Sequence, residues 1–318
     1  MTKLTCEQAL QMARTLGLDR LDAQLLLLHA LGRPDSDRAW LLAHNDDALA
    51  EPKASAFQQL VLRRAAGEPL AYIVGYKDFY GLRLKVDARV LIPRPDTETL
   101  VTWALDVLLA PGVAGQPRVL DLGTGSGAIA LAVAHGLQAA GRTASILALD
   151  ASSDALAVAT ENALALGLLV QFLESNWFSE VSGRFHLITS NPPYIATTDP
   201  HLTALSHEPI DALTAGSEGL SEIRQIIENA PTHLENGGWL LLEHGYDQAA
   251  EVRQLLVSRG FRQVQSRLDL AGIERCTGAQ WPGQRPIGKG QDNVPIELGF
   301  LGSESNNPTL LLTKRISP

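Results

Sequence analysis

The chain has 318 residues, enough for two compact domains, and 45% of them are apolar, enough for a substantial core. Its 26 Lys and Arg stand against 35 Asp and Glu, and a formal charge of -9 has the wrong sign for gripping nucleic acid through phosphates. Cys6 and Cys276 are the only cysteines, too few and too far apart for a disulfide framework or a zinc site, and the longest apolar run near the N-terminus covers only residues 25–28. A cytoplasmic protein without metal or membrane span is expected, acting on a protein or a small molecule.

Short helices are expected from Thr5 to Gly67. Thr5 and Gln8 have the spacing of a capping box, Asp19 can cap a helix over residues 21–31 that Gly32 stops, and Pro52 can open the next. Residues 1–75 hold eight basic and nine acidic side chains, no footprint for DNA or RNA, so they are read as a helical domain that recognises a protein substrate. Residues 76–95 read as a hairpin linker, with Leu82, Leu84 and Val86 on one side of a strand and Arg83, Lys85 and Asp87 on the other.

Residues 96–281 alternate between the two periodicities. A helix over 96–109 is followed by strands at 118–122, 144–150, 170–174 and 185–190, with helices at 128–140 and 153–166. Then come a helix over 218–234 with a break at Pro231, a strand at 239–243, a helix at 248–259 and a last strand at 261–268. Such alternation predicts an α/β domain, doubly wound, with a parallel sheet covered on both faces. Residues 282–318 read as an irregular tail, apart from a strand-like stretch at 310–312.

Two loops at predicted strand ends carry the chemistry. After the first strand, Asp121-Leu122-Gly123-Thr124-Gly125-Ser126-Gly127 lets the backbone approach a ligand with no Cβ in the way, and Asp150 ends the next strand where its carboxylate can accept from both hydroxyls of a ribose. The glycine spacing serves NAD as well as S-adenosylmethionine, so this loop alone leaves both open. Asn191-Pro192-Pro193-Tyr194 after the 185–190 strand breaks the tie. The Asn191 side-chain oxygen and the Pro192 carbonyl can accept the two N–H bonds of a planar amide or amine, the prolines stiffen the array, and Tyr194 can stack on the planar group. Two fixed acceptors reorient a delocalised lone pair toward an electrophilic methyl, which makes the chain an S-adenosylmethionine-dependent N-methyltransferase on this reading.

Together with Gly67-Glu68-Pro69-Leu70-Ala71-Tyr72-Ile73, the run from Val90 to Glu98, Asn176-Trp177-Phe178 and Leu241-Leu242-Glu243-His244-Gly245, these motifs resemble the PrmC/HemK family of peptide chain release factor glutamine methyltransferases. The resemblance covers the N-terminal helices to about Trp281. It implies a class I, Rossmann-like methyltransferase domain in which Asp121, Gly123, Thr124, Gly125, Ser126, Gly127, Asp150, Trp177 and Asn191 contact S-adenosyl-L-methionine, Trp177 beside the adenine. Asn191, Pro192, Pro193 and Tyr194 would bind substrate, with Asn191, Pro192 and Tyr194 serving catalysis. The implied substrate is the glutamine of the Gly-Gly-Gln motif of class 1 release factors. His244 departs from the family's usual aliphatic residue, and residues after Trp281 extend past its usual end.

An adenine N6-methyltransferase shares the Asn-Pro-Pro-Tyr chemistry but would need a basic surface that the charge balance does not offer. A glutamine methyltransferase acting on a ribosomal protein is a second alternative, against which the continuation Arg94-Pro95-Asp96-Thr97-Glu98 speaks. His201 and His207 with Asp199 and Glu208 fit no common metal-ligand spacing, and residues 195–217 are read instead as a lid. Asp96 and Glu98 are read either as substrate contacts or as favourable charges at a helix start, and Trp40 and Trp103 as core.

Overall fold

The computed structural model describes residues 4–113 and 115–282. The first helix, α1 (Cys6–Thr15), opens with the capping box, Thr5 Oγ1 accepting from the Gln8 N–H at 3.3 Å and Gln8 Oε1 from the Thr5 N–H at 3.1 Å. Asp19 caps α2 (Arg20–Leu31), and Gly32 ends it in the left-handed conformation. The short α3 (Arg38–Ala43), α4 (Glu51–Ala65) with Pro52 in its first turn, and α5 (Leu70–Val74) complete a helical bundle around Leu26, Leu27, Phe57, Val61 and Ile73. Trp103 is buried as expected of a core residue, but Trp40 is not. It is half-exposed, lying between the Arg33 guanidinium, 4.0 Å from its ring, and the stacked His44.

The hairpin pairs β1 (Tyr76–Phe79) with β2 (Leu82–Lys85) across Tyr80 and Gly81, both at positive φ, as a two-residue turn matched to strand twist requires. Leu82, Leu84 and Val86 are buried while Arg83 and Lys85 are exposed. A 3₁₀ turn at Pro95–Thr97 leads into α6 (Glu98–Leu109).

The second layer set follows as β3 (Arg118–Leu122), α7 (Ala128–Ala139), β4 (Ser145–Asp150), α8 (Ser153–Leu166), β5 (Gln171–Glu174), β6 (Phe185–Ser190), α9 (Ser221–His233), β7 (Leu234–Glu243), α10 (Ala249–Arg259), β8 (Arg262–Leu268) and β9 (Glu274–Gln280). Their seven strands lie in the order β5-β4-β3-β6-β7-β9-β8. Period-two alternation sorts the core. Val119, Leu187 and Leu241 face α6 and α7, whereas Leu120, Ile188, Leu240 and Leu242 face α9 and α10. Chain order reverses at β3, whose neighbours are β4 and β6, so a crevice opens at their carboxyl ends.

Three expectations need correction. The sheet is mixed: β9 runs antiparallel between β7 and β8, so the 261–268 strand is not the last. Pro231 does not break α9 because it sits buried in the last turn, where its missing N–H removes only one helical bond. The strand expected at 239–243 begins at Leu234, with an irregularity in its pairing between Phe185 and Leu187. The expected tail beyond residue 282, with the stretch at 310–312, lies outside the described residues.

Candidate active site

At the end of β3 the chain turns through Gly123, Gly125 and Gly127, all at positive φ. The loop is held from below and from the side. Asp121 is fully buried and takes the hydroxyls of Thr124 (2.7 Å) and Thr189 (2.9 Å), while the Thr124 N–H donates to the Leu149 carbonyl at 2.7 Å. Burial pushes the Asp121 carboxyl up to about 6 against the pull of those two hydroxyls. Asp121 therefore braces the loop from beneath rather than facing the crevice. Gly127 caps α7 where a Cβ would come within 2.9 Å of Leu131, so this turn needs glycine for both its φ and its space.

Asp150, at the end of β4, accepts the Gly125 N–H at 2.8 Å and the Ser152 N–H at 3.0 Å. Burial raises its carboxyl, opposed by those backbone donors. Each oxygen keeps a lone pair free for a further donor. A Cβ on Gly125 would meet no atom within 4 Å, so the loop faces open space beside that carboxylate. Trp177 adopts a left-handed φ of 49°, its ring lies along Gly123, and its indole N–H donates to Glu222 at 2.7 Å. An anion for two hydroxyls, a flat apolar wall and a Cβ-free cradle fit an adenosine-bearing cofactor. Ser126 and Thr124 are buried, Ser126 offering its carbonyl to Asn162 at 2.9 Å.

Asn191 follows β6 across the crevice. Its Nδ2 lies 3.4 Å from the Thr97 hydroxyl, which leaves the amide oxygen free. Asn191, Pro192 and Tyr194 line a cavity of about 240 Å³ with Leu91, Arg94 and Leu213, whereas Pro193 does not line it. The Tyr194 hydroxyl lies 3.4 Å from the Glu243 carboxylate, and burial raises the phenol well above its ordinary range. Gln248 fixes the Tyr194 backbone, donating to its carbonyl at 3.1 Å and to that of Gly219 at 3.3 Å.

Residues 195–217 fold back as a strap. Ile195 donates its N–H to Leu213 and accepts that of Ala215, both at 2.9 Å, and buried Glu208 takes the Ile92 N–H at 3.0 Å and the Arg94 guanidinium. His201 pairs instead with Asp199 at 2.7 Å, so the four residues weighed for a metal do not converge. Glu98 accepts the Tyr80 N–H at 2.9 Å, and Asp96 pairs with Arg275 at 3.3 Å; both brace the fold around the cavity. Sequence reasoning missed Thr97, Asn162, Glu222 and Gln248. Gln248, three residues past Gly245 at the start of a helix, was the one with a visible signal.

A glycine loop, an acidic strand end and an Asn-Pro-Pro-Tyr turn on this sheet order define a class I S-adenosylmethionine-dependent methyltransferase. Residues 5–75 match the PrmC N-terminal domain, and residues 106–266 match the methyltransferase small domain. The release factor glutamine methyltransferase of Xylella fastidiosa (strain Temecula1) is 49% identical over 279 residues, 86% of this chain and 98% of that protein. That of Burkholderia pseudomallei is 46% identical over 292 residues, 89% and 99% of the two chains. The chain belongs to the release factor glutamine methyltransferase family. Its fold is also similar to the catalytic domain of hMettl16, solved with a MAT2A 3'UTR hairpin, at a TM-score of 0.51 and 18% identity over 74% of this chain and 84% of that one.

Proposed function

We propose that the chain transfers a methyl group from S-adenosyl-L-methionine to the side-chain nitrogen of the glutamine in the Gly-Gly-Gln motif of class 1 release factors, in the cytoplasm. Gly123, Gly125, Asp150 and Trp177 would hold the cofactor, which supplies an electrophilic methyl on a sulfonium. The observation that carries the reading is the free amide oxygen of Asn191 at the cavity beside Pro192 and Tyr194.

The target amide nitrogen is a poor nucleophile because its lone pair is delocalised. Asn191 Oδ1 and the Pro192 carbonyl accept its two hydrogens and so turn that lone pair toward the cofactor side, and Tyr194 supports the amide plane. Apolar Leu91 and Leu213 exclude water from the cavity, which strengthens both contacts. No tuned base is required, since the nitrogen proton becomes acidic as the new bond forms.

Residues 1–75 would dock the release factor, and no contact with nucleic acid is required. Transfer of labelled methyl from S-adenosylmethionine to purified release factor tests this, with RNA and DNA beside it. Labelled glutamine in the Gly-Gly-Gln motif is expected; label in nucleic acid with none in release factor would overturn the reading.

A further inference from the structure

An asparagine side chain accepts at one end and donates at the other, and the two ends are nearly identical in shape. If Asn191 is the acceptor for the target nitrogen, as the proposed function has it and as the role assigned below to Glu243 presupposes, something must decide which end of its amide faces the cavity. The Thr97 hydroxyl touches Nδ2 but cannot decide alone, because a hydroxyl can accept from Nδ2 or donate to Oδ1. Its own proton must first be claimed elsewhere.

Glu243, at the end of β7, is fully buried, and its Oε2 closes no hydrogen bond with any described residue. The Thr97 hydroxyl lies close enough to favour the charged carboxylate, and the Tyr194 hydroxyl approaches Oε1 at 3.4 Å. A buried carboxylate with an oxygen to spare is costly unless it serves a purpose. The geometry points to Glu243 as the positioning residue that takes the proton of Thr97, leaves Thr97 an acceptor, and so holds the Asn191 amide with its oxygen toward the substrate. It also steadies Tyr194, so one carboxylate orients both walls of the cavity.

The charge on Glu243 is what makes the arrangement one-way. Once protonated, it can donate to Thr97, which then donates to Asn191 Oδ1 and turns the amide over. Burial and Asp96 push the carboxyl up to about 7, while Arg275, Thr97 and Tyr194 pull it down; buried Cys276 pairs with it across β9. The ionised form exists above that pKa, so kcat is expected to fall as pH drops through about 7.

The test is steady-state methylation of release factor across pH by the parent, Glu243→Gln, Thr97→Val and Thr97→Ser, with calorimetric cofactor binding and Asn191→Ala alongside. Thr97→Val is expected to lower kcat about 10-fold or more with cofactor affinity unchanged, as for one misaligned polar contact, and Thr97→Ser to recover most of that loss. Glu243→Gln is expected to lower kcat and to abolish the acidic limb near pH 7. If Asn191→Ala is slow while Thr97→Val keeps its kcat, or if the acidic limb survives in a folded Glu243→Gln, this assignment is wrong and the reading of Asn191 stands. If Asn191→Ala itself stays fast, the reading beneath it fails. Should Glu243→Gln not fold, the Thr97 pair decides.

Discussion

Asn191→Ala removes one of two acceptors from a cavity that holds little else polar, so kcat is expected to fall by about 10² to 10³, with Asn191→Asp retaining part of the activity. Single-turnover methylation at saturating cofactor and release factor measures it, and a loss smaller than about threefold is too little for a positioned hydrogen bond. Asp150→Ala removes both the diol acceptor and the brace on the Gly125 N–H. Cofactor binding by calorimetry is expected to weaken, each lost charge-assisted bond being worth about 1.5 to 3 kcal/mol at most. His244, where the family's usual residue is aliphatic, is tolerated because both ring nitrogens are engaged: Nδ1 with the Gly245 carbonyl at 2.9 Å and Nε2 with Thr277 Oγ1 at 2.7 Å. Burial holds this imidazole neutral, its pKa below the ordinary 6.5. The unfolded chain therefore binds the proton first, and stability drains away as pH falls below 6.5. His244→Leu is expected to flatten that loss in thermal melts between neutral and acid pH; an unchanged profile would show that the ring is charged in the fold.

The strap of residues 195–217 hangs on one ion pair, in which buried Glu208 holds Arg94 and the Ile92 backbone. Glu208→Ala is expected to raise protease sensitivity within the strap and the KM for release factor, while cofactor affinity stays put. Equal cleavage of parent and variant would mean that the apolar residues suffice to close it. Glycine loop, acidic strand end and Asn-Pro-Pro-Tyr were legible in the sequence because each demands particular residue types at fixed positions. Strand β9 was not: Glu274–Gln280 has no apolar alternation, and burial is imposed on its small residues by their neighbours. Gly278 shows this, since a Cβ there would stand 2.4 Å from Leu241 and 2.7 Å from Trp103. Thr97 and Glu222 escaped for a related reason, as their partners Asn191 and Trp177 lie far away along the chain.

The helical bundle and the α/β domain share a seam. Tyr72 from α5 packs with Val86, Val90, Ile92, Ala155 and Val158, and its hydroxyl donates to the Val90 carbonyl at 2.6 Å. A truncation meant to test docking is better made at residue 69 than at 75, so that this cover stays. The shortened enzyme is expected to bind cofactor normally and to show a raised KM for intact release factor; normal methylation would assign recognition to the remaining surface. The hairpin is no loose tether either. Asn162 on α8 accepts the Lys85 N–H at 2.7 Å and donates to the carbonyls of Lys85 (3.1 Å) and Ser126 (2.9 Å). One side chain thus couples the glycine loop to the arm that carries the bundle. Whatever quiets the loop also quiets the arm, so the Lys85 amide should swap its hydrogen for solvent deuterium more slowly once the nucleoside pocket is filled, at a distance from any atom of the ligand.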